Sequence, residues 1–297
     1  MTDRRQVIIE QGGDVLECPV CQSLDHGLKY SCLDMSIFRC SRCGMMFQNS
    51  LSPVVALNAH AVDVFEQDMA KTDIRRAASR STLARIASHM ERPLRGLRVL
   101  EIGGGLGHLG SCFIDAGAEY VGVEPSKELY GRALSFNPVL DGRILNSTVE
   151  DALSAGQRYD LVVLVDTLEH IPYPVAYLGA LKKCLSAEGL IYVEVPNESW
   201  LRLKGGLRRL FNVYSGYITH PGHVNLFQVN TLRRALSAAG YSHIFVSQYS
   251  VFGDYGRMSL ALKGKWDVLC RIGCAFFKHT RMDIMLQQGN ICACARI

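Results

Sequence analysis

A glycine-rich loop and two acidic residues have the spacing that most clearly indicates chemistry. The run VLEIGGGLGHLG places Glu101 two residues before Gly103, with Gly105 and Gly107 at alternate positions after it. Glycine lets the backbone turn sharply and approach a ligand closely, and the following helix start offers N–H groups to an anion. Glu124 ends the next apolar run, VGVE. An acidic side chain there can accept hydrogen bonds from both hydroxyls of a ribose.

The loop alone leaves alternatives open. Dinucleotide-binding domains use G-x-G-x-x-G, and His108 stands here where the third glycine is expected. The glycines could also serve only a tight turn, and Glu124 could be a solvated acid at a strand end.

Four cysteines form a second pattern: Cys18 and Cys21, then Cys40 and Cys43. Two C-x2-C pairs separated by eighteen residues are typical of a zinc site. Four thiolates close a tetrahedral shell, so the metal is expected to be structural. Redox-active pairs or coincidence are the alternatives. We expect a zinc-binding module over residues 1–52.

Alternating strand and helix patterns must position these residues. Residues 53–94 read as a helical linker, and strands separated by helices follow over 95–297, which predicts a doubly wound α/β domain with a mostly parallel sheet. DLVVLVD (160–166) is typical of a central strand buried on both faces. PVAYLGALKKCLSAEG (174–189) predicts a helix closed by a glycine, and LIYVEVP the next strand.

An irregular stretch at about 197–222 interrupts this alternation. Long insertions between sheet elements usually carry a binding role or a lid. Its basic residues, among leucines, could contact a phosphate or a membrane surface, or could form a solvated helix face; they are Arg202, Lys204, Arg208 and Arg209.

Composition narrows the function classes. The net charge of +4 is slight, so a nucleic-acid partner is not expected. The first residues lack the apolar core of a secretory signal, and no apolar run approaches the roughly 20 residues that cross a bilayer. We therefore expect a cytoplasmic protein without a transmembrane segment.

Three motifs in order resemble the class I S-adenosylmethionine-dependent methyltransferase superfamily. They are VLEIGGGLGHLG, VGVEPS and YDLVVLVDTLEHIPYP, and the resemblance covers about residues 95–250. The chain is most similar to ubiquinone-type O-methyltransferases and to zinc-module-containing sugar and small-molecule methyltransferases. The resemblance implies a seven-stranded Rossmann-like sheet, with S-adenosylmethionine as cofactor and S-adenosylhomocysteine as product.

The resemblance also implies residue roles. The backbone around Gly103 and Gly105 faces the methionine part of the cofactor, Glu101 orients that loop, and Glu124 binds the ribose. Thr148, Val149 and Glu150 lie near adenine, and Val165 and Asp166 line the floor of the methyl site. Gly104, Gly107 and Pro125 complete the implied cofactor contacts.

Three histidines are candidates for the base that removes a proton from the methyl acceptor, a task suited to imidazole near neutral pH. His170 follows the fourth strand, where its alternative role is a structural cap. His220 and His223 end the insertion. The resemblance implies His223, although His220, Pro221 and Gly222 precede it instead of the Tyr and Glu of the related Tyr-x-Glu-His run. Packing in the core is the alternative for His223.

The predicted function is methyl transfer to oxygen or carbon of a small molecule, for instance a sugar, a nucleotide sugar or another biosynthetic intermediate. An RNA base methyltransferase with a zinc module is a second hypothesis. A cofactor-binding regulatory protein without catalysis is a third.

Overall fold

The computed structural model describes residues 16–32, 35–48, 72–154, 156–200, 222–249 and 290–297, with the single positions 272, 276 and 279. Its strands are β1 (His26–Cys32), β2 (Met35–Cys40), β3 (Met46–Gln48), β4 (Arg98–Ile102), β5 (Glu119–Val123), β6 (Ile144–Leu145), β7 (Tyr159–Val165), β8 (Leu185–Pro196), β9 (Asn225–Leu226), β10 (Ser242–Tyr249) and β11 (Asn290–Arg296). Its α-helices are α1 (Thr72–Ser88), α2 (His108–Asp115), α3 (Lys127–Phe136), α4 (Val149–Ser154), α5 (Pro174–Leu181) and α6 (Val229–Ala238).

The larger sheet has seven strands in the order β10-β11-β8-β7-β4-β5-β6. Strands β6, β5, β4, β7 and β8 are mutually parallel, whereas β11 is antiparallel to both β8 and β10. The predicted doubly wound, mostly parallel seven-stranded sheet is confirmed. Because β4 is the first strand of this sheet and later strands are added on both sides of it, the order reverses between β4 and β7, which is where ligands bind in such sheets.

Strand β7 shows why the sheet is covered on both faces. Successive side chains of a strand point to opposite faces, and Leu161 to Leu164 are all fully buried. Leu161 and Val163 belong to the core under α1 and α2. Val162 and Leu164 belong to the core under α5 and α6. The uninterrupted apolar run of β7 therefore contributes side chains to two hydrophobic cores, one on each face of the sheet.

A buried carboxylate ties α1 to the sheet. Glu194 of β8 is fully buried and accepts hydrogen bonds from the phenols of Tyr192, at 2.8 Å, and Tyr249. Arg85 of α1 lies 3.2 Å from the same carboxylate and stacks over the Tyr249 ring. A buried charge is tolerated only when it is paired and hydrogen-bonded, and Glu194 has both kinds of partner.

The cysteine-rich segment forms a second sheet, in the order β1-β2-β3-β9. Its last strand, β9, comes from far along the chain, after β8, and pairs Met46 with Leu226 and Phe47 with Asn225. The sequence gives no sign of this pairing, because a two-residue strand has no detectable period. The segment that carries His223 is thus attached directly to the cysteine-rich sheet.

One predicted helix is wrong in extent. Helix α5 ends at Leu181, a three-residue turn covers Lys182–Cys184, and β8 already begins at Leu185. Gly189, expected to close the helix, lies inside the strand. The reason is tertiary pairing: Tyr159 of β7 pairs with Leu185, which draws the chain into the sheet.

Other expectations fall partly outside the described residues. The linker helix is described only as α1, and the basic insertion residues and His220 lie outside the described ranges. Among the described helices, none is long and apolar enough to cross a bilayer.

The glycine before α2 provides a test of the loop packing. Gly107 has a φ of +73°, and a Cβ there would lie 2.0 Å from the buried Leu140 side chain. We expect Gly107→Ala to lower the free energy of unfolding by about 2–4 kcal/mol, from backbone strain and overpacking. Urea unfolding followed by circular dichroism measures this.

Gly131 is the matched control. It lies inside α3, where an added Cβ would meet no atom within 4 Å outside its own helix backbone and chain neighbours. We expect Gly131→Ala to raise the free energy of unfolding by about 0.5–1 kcal/mol. Equal effects of the two substitutions would contradict the described packing of the loop.

Candidate active site and cysteine cluster

The loops after β4 and β7 meet at the point where the strand order reverses. Thr167, just past β7, donates from Oγ1 to the carbonyl of Ile102 at 3.1 Å. Gly103 lies against it so closely that a Cβ would come within 2.7 Å of Thr167 Oγ1. Gly103 is therefore required for two reasons. The loop after β7 leaves no room for a side chain, and the φ of +76° favours glycine.

Glu124 fastens the glycine loop to the end of β5. Its Oε2 accepts from the Gly105 N–H at 2.8 Å, and its Oε1 accepts from the Ser126 N–H at 2.8 Å. Burial raises the pKa of Glu124, and the two backbone donors oppose that rise. A carboxylate has about four lone-pair sites, so two further hydroxyl donors can still bind.

Glu101 lies fully buried at the end of β4. The Tyr120 phenol of β5 donates to its Oε2 at 2.6 Å. Burial raises the pKa of Glu101 to about 7, with the Glu124 charge acting in the same direction and the Tyr120 hydrogen bond opposing it. This carboxyl therefore titrates near neutral pH.

The remaining predicted cofactor contacts lie at the same edge, because parallel strands end together. Thr148 comes just before α4 and donates to Asp151 Oδ2 from its N–H at 3.0 Å and from its hydroxyl at 3.2 Å. Val149 is buried and Glu150 is exposed. After β7, Val165 is half-buried and Asp166 is exposed, with a φ of +49° for Asp166. The carbonyl of Pro125 receives the Asn146 side chain at 3.2 Å.

Two of the three candidate histidines come together. The rings of His170 and His223 lie 5.0 Å apart, edge to face. His170 Nδ1 lies 2.8 Å from the Gly222 carbonyl. Since a carbonyl only accepts, Nδ1 carries the proton and neutral His170 has its lone pair on Nε2. The structure does not describe His220.

Two buried carboxyl groups flank His223. Glu198, just after β8, has its Oε1 3.3 Å from His223 Nδ1. Glu169 has its Oε1 4.0 Å from His223 Nε2. Burial raises the pKa of Glu169 well above its usual range, and the Asp166 charge adds to the effect.

Glu169, His170 and His223 offer ligand atoms that all lie within 4.8 Å of one another, so this group could hold a metal ion. Glu169 is 2% exposed, and no described residue donates a hydrogen bond to either of its carboxyl oxygens. A carboxyl in that position is neutral unless a cation lies beside it.

The cysteine-rich sheet holds the backbone of His223. Gln48 of β3 donates from its side chain to the His223 carbonyl at 2.7 Å and from its backbone to the Val224 carbonyl at 2.9 Å. On the other side, Asn225 donates to the Ile171 carbonyl at 2.5 Å. The histidine segment is thus clamped between the two sheets.

The four predicted cysteine ligands converge. Cys18 Sγ lies 3.5 Å from Cys43 Sγ, and Cys21 Sγ lies 3.5 Å from Cys40 Sγ. All four sulfurs lie within 4.8 Å of one another. Four sulfurs about 2.3 Å from one tetrahedral ion stand about 3.8 Å apart, so the group fits zinc.

Sequence reasoning missed Glu198, Tyr120 and Gln48. Glu198 follows the end of a parallel strand, and the same rule that singled out Glu124 could have found it. Tyr120 and Gln48 carry no signal in the sequence, because their roles depend on which residues the fold brings beside them.

Comparison with known proteins agrees with this geometry. A family described as methyltransferase domain matches residues 70–244, more than half of the chain. The ubiquinone biosynthesis O-methyltransferase of Cereibacter sphaeroides is 34% identical over 109 residues, which is 36% of this chain and 44% of that protein. That of Rhizobium rhizogenes is 34% identical over 112 residues, again 36% and 44%. The chain thus spans less than half the length of these relatives.

A solved structure shares the fold. The plantazolicin methyltransferase BpumL, in complex with a monoazolic desmethylPZN analog and SAH, superposes with a TM-score of 0.52 at 15% identity, covering 83% of this chain and 95% of that one. The predicted class I S-adenosylmethionine-dependent methyltransferase architecture is confirmed. By its matched residues, its sheet order and its motifs, this chain belongs to the methyltransferase domain family.

Proposed function

We propose that the chain transfers a methyl group from S-adenosylmethionine to an oxygen or carbon atom of a small biosynthetic intermediate. The observation that carries this proposal is Glu124, buried at the end of β5 and bonded to the glycine loop at Gly105. A ribose diol docked there would meet both carboxylate oxygens, with the methionine part beside Gly103. Relatives named as O-methyltransferases support transfer to oxygen.

S-adenosylmethionine, when bound, supplies an electrophilic methyl group. The chain's own task is to align the acceptor and to remove its proton. We assign proton removal to His223. Glu198 lies 3.3 Å from Nδ1 and favours the tautomer with the proton on that nitrogen, so Nε2 carries the lone pair. Gly222 stands where the related Tyr-x-Glu-His run has a glutamate. We propose that Glu198 provides the missing carboxylate from another part of the chain.

His170 supports this arrangement from the β7 side. Its Nδ1 donates to the Gly222 carbonyl, one residue before His223. We propose that it holds the His223 backbone, as the alternative role of a structural cap implied.

We also propose that Cys18, Cys21, Cys40 and Cys43 bind one structural zinc ion in a module over residues 1–52. The convergence of the four sulfurs supports it, as do the tight turns that return Gln22 N–H to Cys18 and Gly44 N–H to Cys40. Without a metal, burial raises the pKa of the Cys43 thiol to about 11. Zinc coordination removes such protons.

Substitution of Glu124 tests cofactor binding. We expect Glu124→Ala to raise the dissociation constant of S-adenosylhomocysteine at least about tenfold, since hydrogen bonds to a charged group contribute roughly 1.5–3 kcal/mol each. Isothermal titration calorimetry measures it. Glu128→Ala, four residues on and paired with Arg132 on the helix surface, serves as control and should bind normally. Equal affinities of both variants would contradict the assignment.

Substitution of His223 tests the base. We expect His223→Ala to lower kcat by about a hundredfold or more, with the S-adenosylhomocysteine affinity within about twofold of the original. Glu198→Gln should lower kcat less. The first panel of acceptors consists of 1,2-dihydroxybenzene compounds and, separately, a nucleotide sugar. The methylated product is detected by mass spectrometry.

His243→Asn, in an exposed position with positive φ that asparagine tolerates, is the control. Retained kcat in His223→Ala would remove His223 from the mechanism. Activity that depended on an added divalent ion would instead assign Glu169, His170 and His223 to a metal. Cofactor binding without turnover on any acceptor would favour the regulatory alternative.

Metal analysis tests the cysteine site. We expect about one zinc per chain in purified protein, and a lowered melting temperature after chelation. Cys43→Ser should lose most of the zinc, whereas Cys184→Ala, a buried cysteine away from the cluster, should keep it. Zinc retained in Cys43→Ser but lost in His223→Ala would place the metal at the histidine group and contradict the cysteine assignment.

A further inference from the structure

Tyr120 is fully enclosed beneath the glycine loop. Its side chain is 4% exposed, and its ring stacks on Phe113 of α2 with centroids 6.2 Å apart and planes 17° apart. A tyrosine buried this deeply normally requires a partner for its hydroxyl. That partner is Glu101 Oε2, at 2.6 Å.

Two glycines make room for this phenol. A Cβ on Gly110 of α2 would lie 2.5 Å from the Tyr120 hydroxyl, and one on Gly122 of β5 would lie 2.3 Å from it. Gly104 of the loop lies at ordinary van der Waals distance, since a Cβ there would lie 3.5 Å from the same hydroxyl. Helix and strand thus both lack a side chain where the phenol lies, and the hydroxyl is held against Glu101 under the loop.

We propose that Tyr120 is a positioning residue for cofactor binding: its phenol orients the Glu101 carboxyl group beneath the glycine loop and favours its ionised form, which receives the ammonium group of S-adenosylmethionine. This inference rests on the proposed function. It assigns to a strand residue outside the three motifs a share of the cofactor affinity.

The surroundings of Glu101 make the phenol decisive. The charged and titratable groups facing Glu101 among the described residues are Tyr120 and Glu124 at β5 and Cys112 of α2. On the β7 side its neighbour in register is the apolar Val163. Burial and the Glu124 charge both favour the protonated carboxyl, and the Tyr120 hydrogen bond is the interaction that favours the ionised form.

Removal of the phenol hydroxyl therefore has a pH signature. With the pKa of Glu101 at about 7 in the intact protein, loss of a donor to the ionised form moves that pKa upward. Below both pKa values, Glu101 must lose its proton when the ammonium group binds. This deprotonation costs more free energy in the variant, so the variant binds more weakly. Above both values the carboxylate is ionised in either protein, and the difference disappears.

The experiment compares Tyr120→Phe with the unsubstituted chain by calorimetric titration of S-adenosylmethionine from pH 6 to pH 9. We expect the ratio of the two dissociation constants to be about tenfold at pH 6 and below about twofold at pH 9, for a pKa displacement of about one. The ligand's own titration is common to both proteins and cancels in the ratio. Thermal unfolding checks that the variant is folded.

Three further variants isolate the interaction. Tyr241→Phe removes a buried phenol that donates to the Leu178 carbonyl at 2.9 Å, away from the loop, and should leave the affinity unchanged at every pH. Glu101→Gln should bind weakly, and adding Tyr120→Phe to it should change the affinity less than about twofold, because the two substitutions remove one interaction.

The outcomes separate the two claims. No binding by the unsubstituted chain would overturn the proposed function and this inference with it. Binding by the unsubstituted chain, with a Tyr120→Phe ratio that is near one at pH 6 or constant across the range, would overturn this inference alone. A constant ratio is the signature of a purely structural phenol.

Discussion

The carboxylate of Glu124 is the contact on which the arrangement of the site depends. It joins the loop after β4, through Gly105, to the first residues after β5, through Ser126. Because both donors are backbone N–H groups, the carboxylate fixes the path of two loops at once, and a carboxylate has lone pairs left for further donors. The group that shapes the loop is thus the same one that we propose binds the ribose.

A second constraint links the two sheets. The strand β9 completes the cysteine-rich sheet, yet it begins two residues after His223, and Gln48 holds the His223 carbonyl. The backbone of the proposed base is therefore set by the cysteine-rich sheet, whereas its imidazole is oriented by Glu198 from the end of β8. Loss of the cysteine cluster should therefore displace the backbone of His223 through this strand pairing. The zinc proposal and the catalytic proposal are in this sense structurally connected.

The sequence predicted what local pattern determines. The apolar run of β7, the glycine motif and the two cysteine pairs were visible because period and spacing alone define them. The end of α5 was misplaced, since pairing of Leu185 with Tyr159 overrides helical preference. The place of Glu198 after a strand could have singled it out, but its contact with His223, 25 residues away in the chain, could not be predicted. The contact of Tyr120 with Glu101, 19 residues away, has no signal in the sequence either. Contacts of that kind appear only once the strands are ordered.

We propose that the cofactor's sugar binds at Glu124, and a crystal structure of the chain with S-adenosylhomocysteine tests this directly. We expect both ribose hydroxyl oxygens within about 3.2 Å of the Glu124 carboxylate oxygens, with the methionine part over Gly103 and the sulfur turned toward His223. A nucleoside bound with its ribose directed away from Glu124, or bound elsewhere on the chain, would contradict this placement.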